Sequence, residues 1–167
     1  MPSRPVPAAR ATPAAAAVAA ESSFMALALA EAEAAAARGE VPVGAVAVAE
    51  GRVVARAGNR VEETGDPTAH AEMLALRAAG AALGSPRLAE CDLYVTLEPC
   101  PMCAGAIALG RIRRLYFAAY DPKGGGVEHG PRLFEQPTCH HRPEVYGGIG
   151  EVRAAALLRD FFTQRRR

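Results

Sequence analysis

Two short motifs constrain the fold of this chain more than any other feature. His70 and Glu72 stand two positions apart in the stretch TAHAE, and Cys100 and Cys103 lie further along the chain in LEPCPMC. A neutral imidazole and two thiolates are good zinc ligands, and three protein ligands leave the fourth tetrahedral position open for water. Any fold that uses both motifs must therefore bring two separate segments of the chain to one point.

Cys100 and Cys103 are predicted to lie at the start of a helix. Pro101 suits the first position of this helix, which we predict over residues 101–109. Side chains three residues apart lie on one face of a helix, so the two sulfurs can share one ion. The helix N-terminus also favours anionic sulfur, which lowers the pKa of a thiol placed there.

His70 and Glu72 are predicted to lie at the start of a second helix. Thr68 can cap this helix, which we predict from about Ala69 to Leu83, so that His70 falls in its first turn. Glu72 offers a carboxylate that can take a proton from an activated water and later give it to a leaving group. Because residues two apart on a regular helix do not share a face, Glu72 must reach the site through its length or through the geometry of the first turn.

The cysteine pair by itself allows other interpretations. A structural zinc site would need a fourth ligand, and a redox pair would not explain the His-x-Glu motif. The two motifs in this order are more specific than either motif alone, so we favour a catalytic site with one zinc ion per subunit. We expect Cys91 and Cys139 to be inert packing residues, although a fourth ligand could come from Cys91, Cys139, His140 or His141.

The order of the predicted elements is typical of a layered α/β protein. A helix with apolar residues at helical spacing begins at Ser22 and ends near Gly39. Two Val-rich runs around Glu50 and Gly51 predict a β-hairpin. Further along we predict, besides the two helices above, a strand at Leu93–Leu97, a strand at Arg114–Ala119, an irregular segment at 120–143 and a last helix at about 150–163. Strands alternating with helices favour a sheet with helices on its faces.

The N-terminal segment differs in composition from the rest of the chain. Residues 1–20 are rich in Ala and Pro and contain no acidic residue. Prolines interrupt helices, and Ala buries too little surface to offset the entropy that ordering costs. We therefore predict a disordered extension over residues 1–20 and one zinc-dependent domain over residues 21–167. A targeting peptide is a rival interpretation, which we favour less because its apolar run is short and weakly hydrophobic.

Charge and cysteine content narrow the class of protein. The formal net charge is +1, whereas a globally basic nucleic-acid-binding protein would carry a larger excess of positive charge. The chain has no run of about 18 purely apolar residues, so we expect no membrane span. A tight Cys-x-x-Cys in a chain without an evident secretory signal is typical of a reducing compartment, so we expect a cytoplasmic protein.

Taken together, the motifs resemble those of the cytidine and deoxycytidylate deaminase superfamily, whose signature is H-x-E followed by P-C-x-x-C. Within this superfamily the chain is similar to the bacterial tRNA-specific adenosine deaminases. The similarity begins near Phe24 and is carried by VPVGAVAV (41–48), GNR (58–60), DPTAHAEMLALR (66–77), LYVTLEPCPMCAGAI (93–107), AAYDPKGGG (118–126) and AALLRDFF (155–162). It implies a three-layer α/β/α cytidine-deaminase-like fold, with a central mixed sheet of about five strands flanked by helices.

The resemblance assigns roles to particular residues. The three ligands named above are implied to hold zinc, with Glu72 as the proton shuttle. Asn59 matches an asparagine that hydrogen-bonds the purine. Asp121 matches an aspartate near the target ribose, where a 2′-hydroxyl would distinguish RNA from DNA. Without the resemblance, Asn59 would be a loop residue bonded to its own backbone and Asp121 a turn former.

Two further substrate contacts are implied, at Ala71 and at Phe162. Phe162 forms with Phe161 an aromatic pair on the last predicted helix, and residues 165–167 extend this helix with three arginines. The aromatic pair could instead belong to the core, and the arginines could form a solvated tail.

The implied activity is zinc-dependent hydrolytic deamination of adenosine to inosine in tRNA, at wobble position 34 of the anticodon, by a homodimer that binds the anticodon loop. The nearest alternative is a free-base or nucleotide deaminase acting on guanine or cytosine, with the same metal site. An alternative of another class is a non-catalytic, zinc-stabilised RNA-binding module whose site is closed by a fourth protein ligand. Tyr120 and His140 depart from the family pattern, since relatives often carry a basic residue and an asparagine at these two positions.

Overall fold

A five-stranded mixed sheet lies at the centre of the structure. The computed structural model describes residues 12–166. Within these residues the elements are, in chain order, α1 (Pro13–Ala37), β1 (Gly44–Ala49), β2 (Arg52–Gly58), α2 (Val61–Thr64), α3 (Ala71–Leu83), β3 (Cys91–Leu97), α4 (Pro101–Leu109), β4 (Arg114–Ala119), a 3₁₀ helix (Leu133–Glu135), β5 (Glu144–Gly147) and α5 (Glu151–Arg165).

The sheet combines an antiparallel half with a parallel half. Its strand order is β2-β1-β3-β4-β5, with β1 antiparallel to both of its neighbours and β3, β4 and β5 mutually parallel. The predicted hairpin around Glu50 and Gly51 is confirmed, and both residues have the positive φ (52° and 72°) that a type I′ turn requires. The predicted α/β fold with a mixed sheet of about five strands is confirmed.

Each face of the sheet buries its own layer of helices. Alternate residues of a strand point to opposite faces, so in β1 the alanines pack on one side and the valines on the other. The alanine side is covered by α3 and α4, and the valine side by α1 and α5. This arrangement gives the three layers, helices on sheet on helices, that the resemblance implied.

Three tyrosines stack across the parallel half of the sheet. Tyr94, Tyr116 and Tyr146 occupy one register line on β3, β4 and β5. The ring centroids are 4.5 Å apart for the first pair and 5.0 Å for the second, with nearly parallel planes. Such cross-strand aromatic pairs stabilise a particular register of neighbouring strands. This row helps to fix the alignment of β5, which is only four residues long.

Two glycines allow α1 to lie directly on the sheet. Gly44 and Gly58 are paired across β1 and β2. A Cβ atom at Gly44 would collide with the carbonyl oxygen of Ala28 and would lie 2.6 Å from the backbone nitrogen of Ala32. A Cβ atom at Gly58 would lie 2.8 Å from the carbonyl oxygen of Glu31. Because only glycine fits at this closest approach, the pair allows α1 to pack against the start of β1 and the end of β2.

Helix α1 begins earlier than predicted. It starts at Pro13, so residues 13–20, which we assigned to a disordered extension, form its first turns; the rest of that prediction, over residues 1–11, lies outside the described residues. Proline is tolerated at the first helical position, and alanine has the highest helix propensity, so the composition that suggested disorder also permits a helix. In the described part of the chain no helix is both long and apolar enough to cross a membrane.

Besides the 3₁₀ helix, two short elements were missing from the predictions. β5 (Glu144–Gly147) lies in a stretch without apolar alternation, and its strand geometry comes from pairing with β4. The single-turn helix α2 (Val61–Thr64) is held by Glu40, whose buried carboxylate accepts hydrogen bonds from the backbone N–H groups of Glu62 (3.2 Å) and Glu63 (2.8 Å). Both elements depend on partners distant in sequence, which local pattern does not reveal.

We predict that Gly44→Ala destabilises the protein strongly. The added methyl group meets backbone atoms of α1 that cannot move aside, so the free energy of unfolding should fall by about 3 kcal/mol, the upper part of the range for overpacking. Urea unfolding would measure this loss. Gly105→Ala in α4 is the matched control, because a Cβ atom there has open space. Equal stability of the two variants would contradict the close approach of α1 to the sheet.

Candidate active site

Two helix starts bring three metal-binding side chains together. His70 directly precedes α3 with extended backbone (φ −73°, ψ 150°), and Cys100 directly precedes α4 in the same way (φ −67°, ψ 170°). Cys103 lies in the first turn of α4, and Pro101 occupies its first position as predicted. The partial positive charge at both helix N-termini favours the thiolate form of the sulfurs.

The geometry of this cluster fits a tetrahedral zinc ion. The ligand atoms of His70, Cys100 and Cys103 all lie within 4.8 Å of one another. The Nδ1 atom of His70 is 3.7 Å from the sulfur of Cys100 and 3.5 Å from that of Cys103. Zinc–sulfur and zinc–nitrogen bonds of ordinary length at a tetrahedral angle place the two ligand atoms about 3.6 Å apart. The three predicted ligands are therefore grouped at the spacing that zinc requires.

The three side chains of the cluster shift one another's pKa values through hydrogen bonds. A hydrogen bond from Cys103, together with one from His70, lowers the pKa of the Cys100 thiol to about 4 despite its partial burial. The same sulfur–sulfur hydrogen bond, with burial, raises the pKa of Cys103. The hydrogen bond to Cys100 raises the pKa of His70. Hydrogen bonding within the cluster thus favours the thiolate form of Cys100, which is the form in which cysteine binds a metal.

Glu72 lies beside the ligands and is almost fully buried, with 4% of its surface exposed. It contacts the sulfur of Cys103, and burial raises the pKa of its carboxyl group to about 7. The expected difficulty of placing His70 and Glu72 on one face does not arise, because His70 precedes the helix instead of belonging to its first turn. A carboxyl group with this pKa can both accept and donate a proton near neutral pH.

The residues considered as a fourth ligand lie elsewhere. Within residues 12–166, the metal-binding cluster contains only the three side chains described above. Cys91 is fully buried in the core at the start of β3, as expected for a packing residue. Cys139 donates a hydrogen bond to the carbonyl oxygen of His141 (3.1 Å), whose own ring bonds to the carbonyl oxygen of Ile112. His140 is exposed on the surface. These positions agree with a site that protein ligands leave open.

Asn59 and Ala71 are joined by a hydrogen bond. The side-chain oxygen of Asn59 accepts from the backbone N–H of Ala71 at 2.7 Å, and Asn59 is 8% exposed at the wall of the site. Ala71 is fully buried, and its N–H is engaged by this bond, so the structure gives Ala71 a role in holding Asn59. The same bond provides an acceptor for one of the backbone N–H groups that have no partner within the helix at the start of α3.

Thr68 does not cap α3, contrary to prediction. Its hydroxyl and its backbone N–H both donate to Oδ1 of Asp66, at 2.7 Å and 2.8 Å, which closes a turn before the helix. The sequence pattern identified a polar residue near the right position. It could not identify Asn59 as the actual acceptor, because Asn59 reaches the helix from the end of β2.

A cavity of about 360 Å³ opens onto the metal cluster. Its walls include both predicted substrate contacts from the loops, Asn59 and Asp121. Glu72 lies in its deep part, whereas Asp121 is partly exposed to solvent. The other lining residues are Glu40, Val41, Val43, Val61, Glu62, His70, Leu97, Glu98, Cys100, Gly124 and Arg165.

Asp121 both lines the cavity and shapes the loop that it begins. Its Oδ1 atom accepts hydrogen bonds from the backbone N–H groups of Lys123 (3.2 Å) and Gly124 (2.9 Å). The turn-forming role considered from the sequence is therefore present in the structure. It is compatible with the predicted substrate role, because Asp121 remains on the cavity wall.

The last helix reaches the cavity through Arg165, a residue that the sequence analysis did not single out as a site residue. Its guanidinium group lies over the ring of Phe161 at 4.4 Å and donates a hydrogen bond to the carbonyl oxygen of Gly39. Phe162 is 44% exposed and lies outside the cavity lining. The aromatic pair thus supports Arg165 on one side, while Phe162 faces solvent. A contact of Phe162 with substrate stays a prediction.

Glu98 is a second buried carboxylate that the sequence analysis passed over. It precedes the cysteine motif and lies in the cavity wall. Burial tends to raise its pKa, but hydrogen bonds from the backbone of Asp121 and from His129 outweigh this effect and lower the pKa below the ordinary value. The available signal was its place in LEPC, between a buried strand and the metal-binding turn. The hydrogen-bond partners of Glu98 come from a segment that the sequence showed only as irregular.

Comparison with known proteins agrees with this geometry. Residues 19–119 match the family described as the cytidine and deoxycytidylate deaminase zinc-binding region. The chain is 60% identical, over 129 residues, to the tRNA-specific adenosine deaminase of Agrobacterium fabrum, a match that covers 77% of this chain and 85% of that protein.

Two solved structures are also similar. One, from a study of A-to-I editing by tRNA:A34 deaminases, is 60% identical with a TM-score of 0.80 and covers 81% of this chain and 99% of that one. The other is the guanine deaminase of Nitrosomonas europaea, which is 26% identical with a TM-score of 0.74 and covers 85% of this chain and 84% of that one.

We predict that Cys103→Ala abolishes stoichiometric zinc binding. Removing one of three ligands leaves the remaining imidazole and thiolate unable to hold the ion, whereas the wild-type chain should carry one zinc per subunit. Elemental analysis of the purified proteins measures this ratio. Cys139→Ala is the matched control, because Cys139 lies outside the cluster. Full zinc content in the Cys103 variant would show that the cluster is not the metal site.

Proposed function

Because the chain belongs to the cytidine and deoxycytidylate deaminase zinc-binding family, we propose that it catalyses the hydrolytic deamination of adenosine to inosine in tRNA, at wobble position 34 of the anticodon. The observation that carries this proposal is the zinc-ready cluster of His70, Cys100 and Cys103 with the buried carboxyl group of Glu72 beside it. The choice of tRNA rests on the relative at 60% identity and on the solved structure described with tRNA:A34 deaminases.

The three ligands would hold one zinc ion. Bound there, zinc supplies Lewis-acid chemistry that makes water a nucleophile near neutral pH. The donor set of one imidazole and two sulfurs, at the spacing described above, fits this ion.

Glu72 handles the protons of the reaction. Deamination replaces the exocyclic amino group of adenine with an oxygen atom from water and releases ammonia. Glu72 accepts a proton from the attacking water and gives it to the ring nitrogen next to the reacting carbon. It then takes the remaining proton of the new hydroxyl group and gives it to the amino group, which leaves as ammonia while the hydroxyl becomes a carbonyl. Its raised pKa of about 7 suits both directions of transfer.

The cavity suits a nucleotide within a polynucleotide. Glu72 lies at its deep end, so the target base must enter while the sugar and phosphates stay near the mouth. Asn59 on the wall can position the purine, and Asp121 at the more exposed side can contact the ribose. The cavity lining is rich in carboxylates, but it also includes Arg165. The guanidinium group of Arg165 can bind a phosphate of the RNA. A base in a single-stranded loop is cheap to extrude into such a pocket.

Guanine deamination is the second candidate function. It is favoured by the similarity to the Nitrosomonas europaea guanine deaminase, a weaker match at 26% identity. A non-catalytic zinc module is disfavoured, because within the described residues the cluster has no fourth protein ligand and a carboxyl group with raised pKa lies beside it.

The proposed working environment and assembly follow from the function. We propose that the protein acts in the cytoplasm, as we expect for an enzyme that modifies bacterial tRNA. We propose a homodimer, as the resemblance implies, and place its interface on the outer surface of α3 and α4. Leu83, Met102 and Leu109 expose 44%, 37% and 81% of their surface there. An apolar groove of about 350 Å³ lies between the two helices. Burying such surface against a second copy is favourable.

The activity is tested by incubating the wild-type enzyme with transcribed tRNA and sequencing for A-to-G changes. We expect conversion at the wobble adenosine, and a loss of rate of about 100-fold or more in Glu72→Gln, which removes the proton shuttle. Zinc content of the variant should stay at the wild-type level. A parallel assay offers free guanine. Turnover of guanine without turnover of tRNA would replace the proposed function with the second candidate.

We predict that Leu109→Glu converts the dimer to a monomer. A charge at the apolar C-terminal end of α4 must be desolvated on association, which opposes pairing. Light scattering coupled to gel filtration measures the mass. Val152→Glu is the matched control, because Val152 is 85% exposed on α5, on the other face of the sheet. A Leu109 variant that retains the wild-type mass would place the interface elsewhere.

A further inference from the structure

Glu98 accepts an unusual number of hydrogen bonds for one side chain. Its Oε1 atom accepts from the backbone N–H groups of Val127 (3.3 Å), Glu128 (2.8 Å) and His129 (2.9 Å). Its Oε2 atom accepts from the backbone N–H of Asp121 (2.9 Å) and from Nδ1 of His129 (2.8 Å). The side chain of Glu98 is fully buried, with 0% exposed. A buried carboxylate of this kind orders the groups that donate to it.

All these donors belong to one loop, residues 121–129, which we call the 121–129 loop. Donors come from both its ends, so a single carboxylate closes the loop on itself. Within the loop, Asp121 and Gly124 line the cavity. The position of this part of the cavity wall is therefore set by Glu98.

The loop also lies directly on the metal-binding turn. A Cβ atom at Gly125 would lie 2.5 Å from Oε1 of Glu98, and one at Gly126 would lie 2.8 Å from the carbonyl carbon of Cys100. The backbone N–H of Gly126 donates to the carbonyl oxygen of Pro99 at 2.8 Å. The run of glycines thus permits a contact that side chains would prevent, and Glu98 lies between the loop and the turn.

We propose that Glu98, together with His129, is a positioning residue that holds the 121–129 loop as the outer wall of the substrate cavity. The hydrogen bonds that its carboxylate accepts come from the 121–129 loop, so it acts on the cavity through Asp121. On the proposed function, this wall faces the ribose and phosphates of the target nucleotide. Glu98 therefore controls how well the RNA is held, while the chemical step depends on Glu72.

The proposal predicts a particular kinetic signature. If the loop is ordered in only a fraction of free enzyme molecules, the apparent Kd for substrate equals the intrinsic Kd divided by that fraction. The bound complex, in which the loop is ordered, remains competent. Loss of the anchor should thus raise KM and leave kcat nearly unchanged. A merely structural defect would reduce the amount of active enzyme or its thermal stability instead.

Glu98→Gln is the sharpest substitution because it keeps the shape of the side chain. Both carboxylate oxygens of Glu98 accept from backbone N–H groups. In either orientation of the glutamine amide, its N–H₂ group therefore faces an N–H donor and cannot accept from it. With an anticodon stem-loop RNA as substrate, we expect KM to rise about 10-fold and kcat to stay within about twofold, as loss of one charged hydrogen bond from the free enzyme would give. Zinc content should be unchanged. Glu135→Gln, at an exposed carboxylate in the 3₁₀ helix, is the matched control and should behave as wild type.

A fall in kcat without a rise in KM would overturn the proposal. Loss of zinc from the Glu98 variant would also overturn it, because Glu98 would then act through the metal-binding turn.

His129 provides a second test that does not depend on the folding of the Glu98 variant. His129→Ala removes one donor, and His129→Asn places an amide N–H where Nδ1 lies. We expect His129→Ala to raise KM and His129→Asn to restore it toward the wild-type value. Equal KM values for the two variants would overturn the pairing of His129 with Glu98.

Hydrogen exchange separates this proposal from the proposed function. In Glu98→Gln the backbone amides of Asp121 and Glu128 should exchange faster than in the wild type, while those of β3 should not change. Unchanged exchange in the loop would overturn the anchoring role even if the enzyme deaminates tRNA. A wild-type enzyme inactive on RNA would overturn the proposed function, and the exchange rates would still decide whether Glu98 anchors the loop.

Discussion

The structure is organised around a cluster of one imidazole and two sulfurs that two helix starts bring together. The Nδ1 atom of His70 lies 3.7 Å from the sulfur of Cys100 and 3.5 Å from that of Cys103. Two helix N-termini point at this cluster and favour its negative charge. A divalent ion that binds there also ties α3 to α4, so metal binding and the folding of this face of the sheet are coupled.

Buried glutamates divide the remaining tasks around the cavity. Glu98 is surrounded by N–H donors, and their hydrogen bonds lower its pKa in spite of burial. Glu72 lies next to anionic sulfur without such a set of donors, and burial raises its pKa to about 7. The same type of side chain is therefore suited to a fixed anchor in one place and to proton transfer in the other, because the local hydrogen-bond donors differ.

Local chemistry made parts of the structure predictable. Pro101 and the spacing of the two cysteines indicated α4 with its ligands, and the observed helix, Pro101–Leu109, has the predicted limits. The strand Arg114–Ala119 was also predicted without error, because it is short, apolar and bounded by turns. By contrast, the side chain that accepts the first backbone N–H of α3 is Asn59, which follows β2, and not Thr68. The hydroxyl of Thr68 donates to Asp66 instead. Residues 13–20 are helical where disorder was predicted. Alanine buries little surface, which suggested disorder, but it also has the highest helix propensity, so composition alone does not distinguish the two structures.

The sequence by itself determined which residues could carry the chemistry: the three candidate zinc ligands, Glu72 beside them, and the strands and helices on which they lie. These features are encoded in short motifs whose meaning does not depend on distant residues. Only the tertiary structure decided that His70 precedes its helix, that Arg165 reaches the cavity from the last helix, and that Glu98 orders the 121–129 loop. Each of these is a contact between segments far apart in the chain, which exists only after the sheet has brought them together.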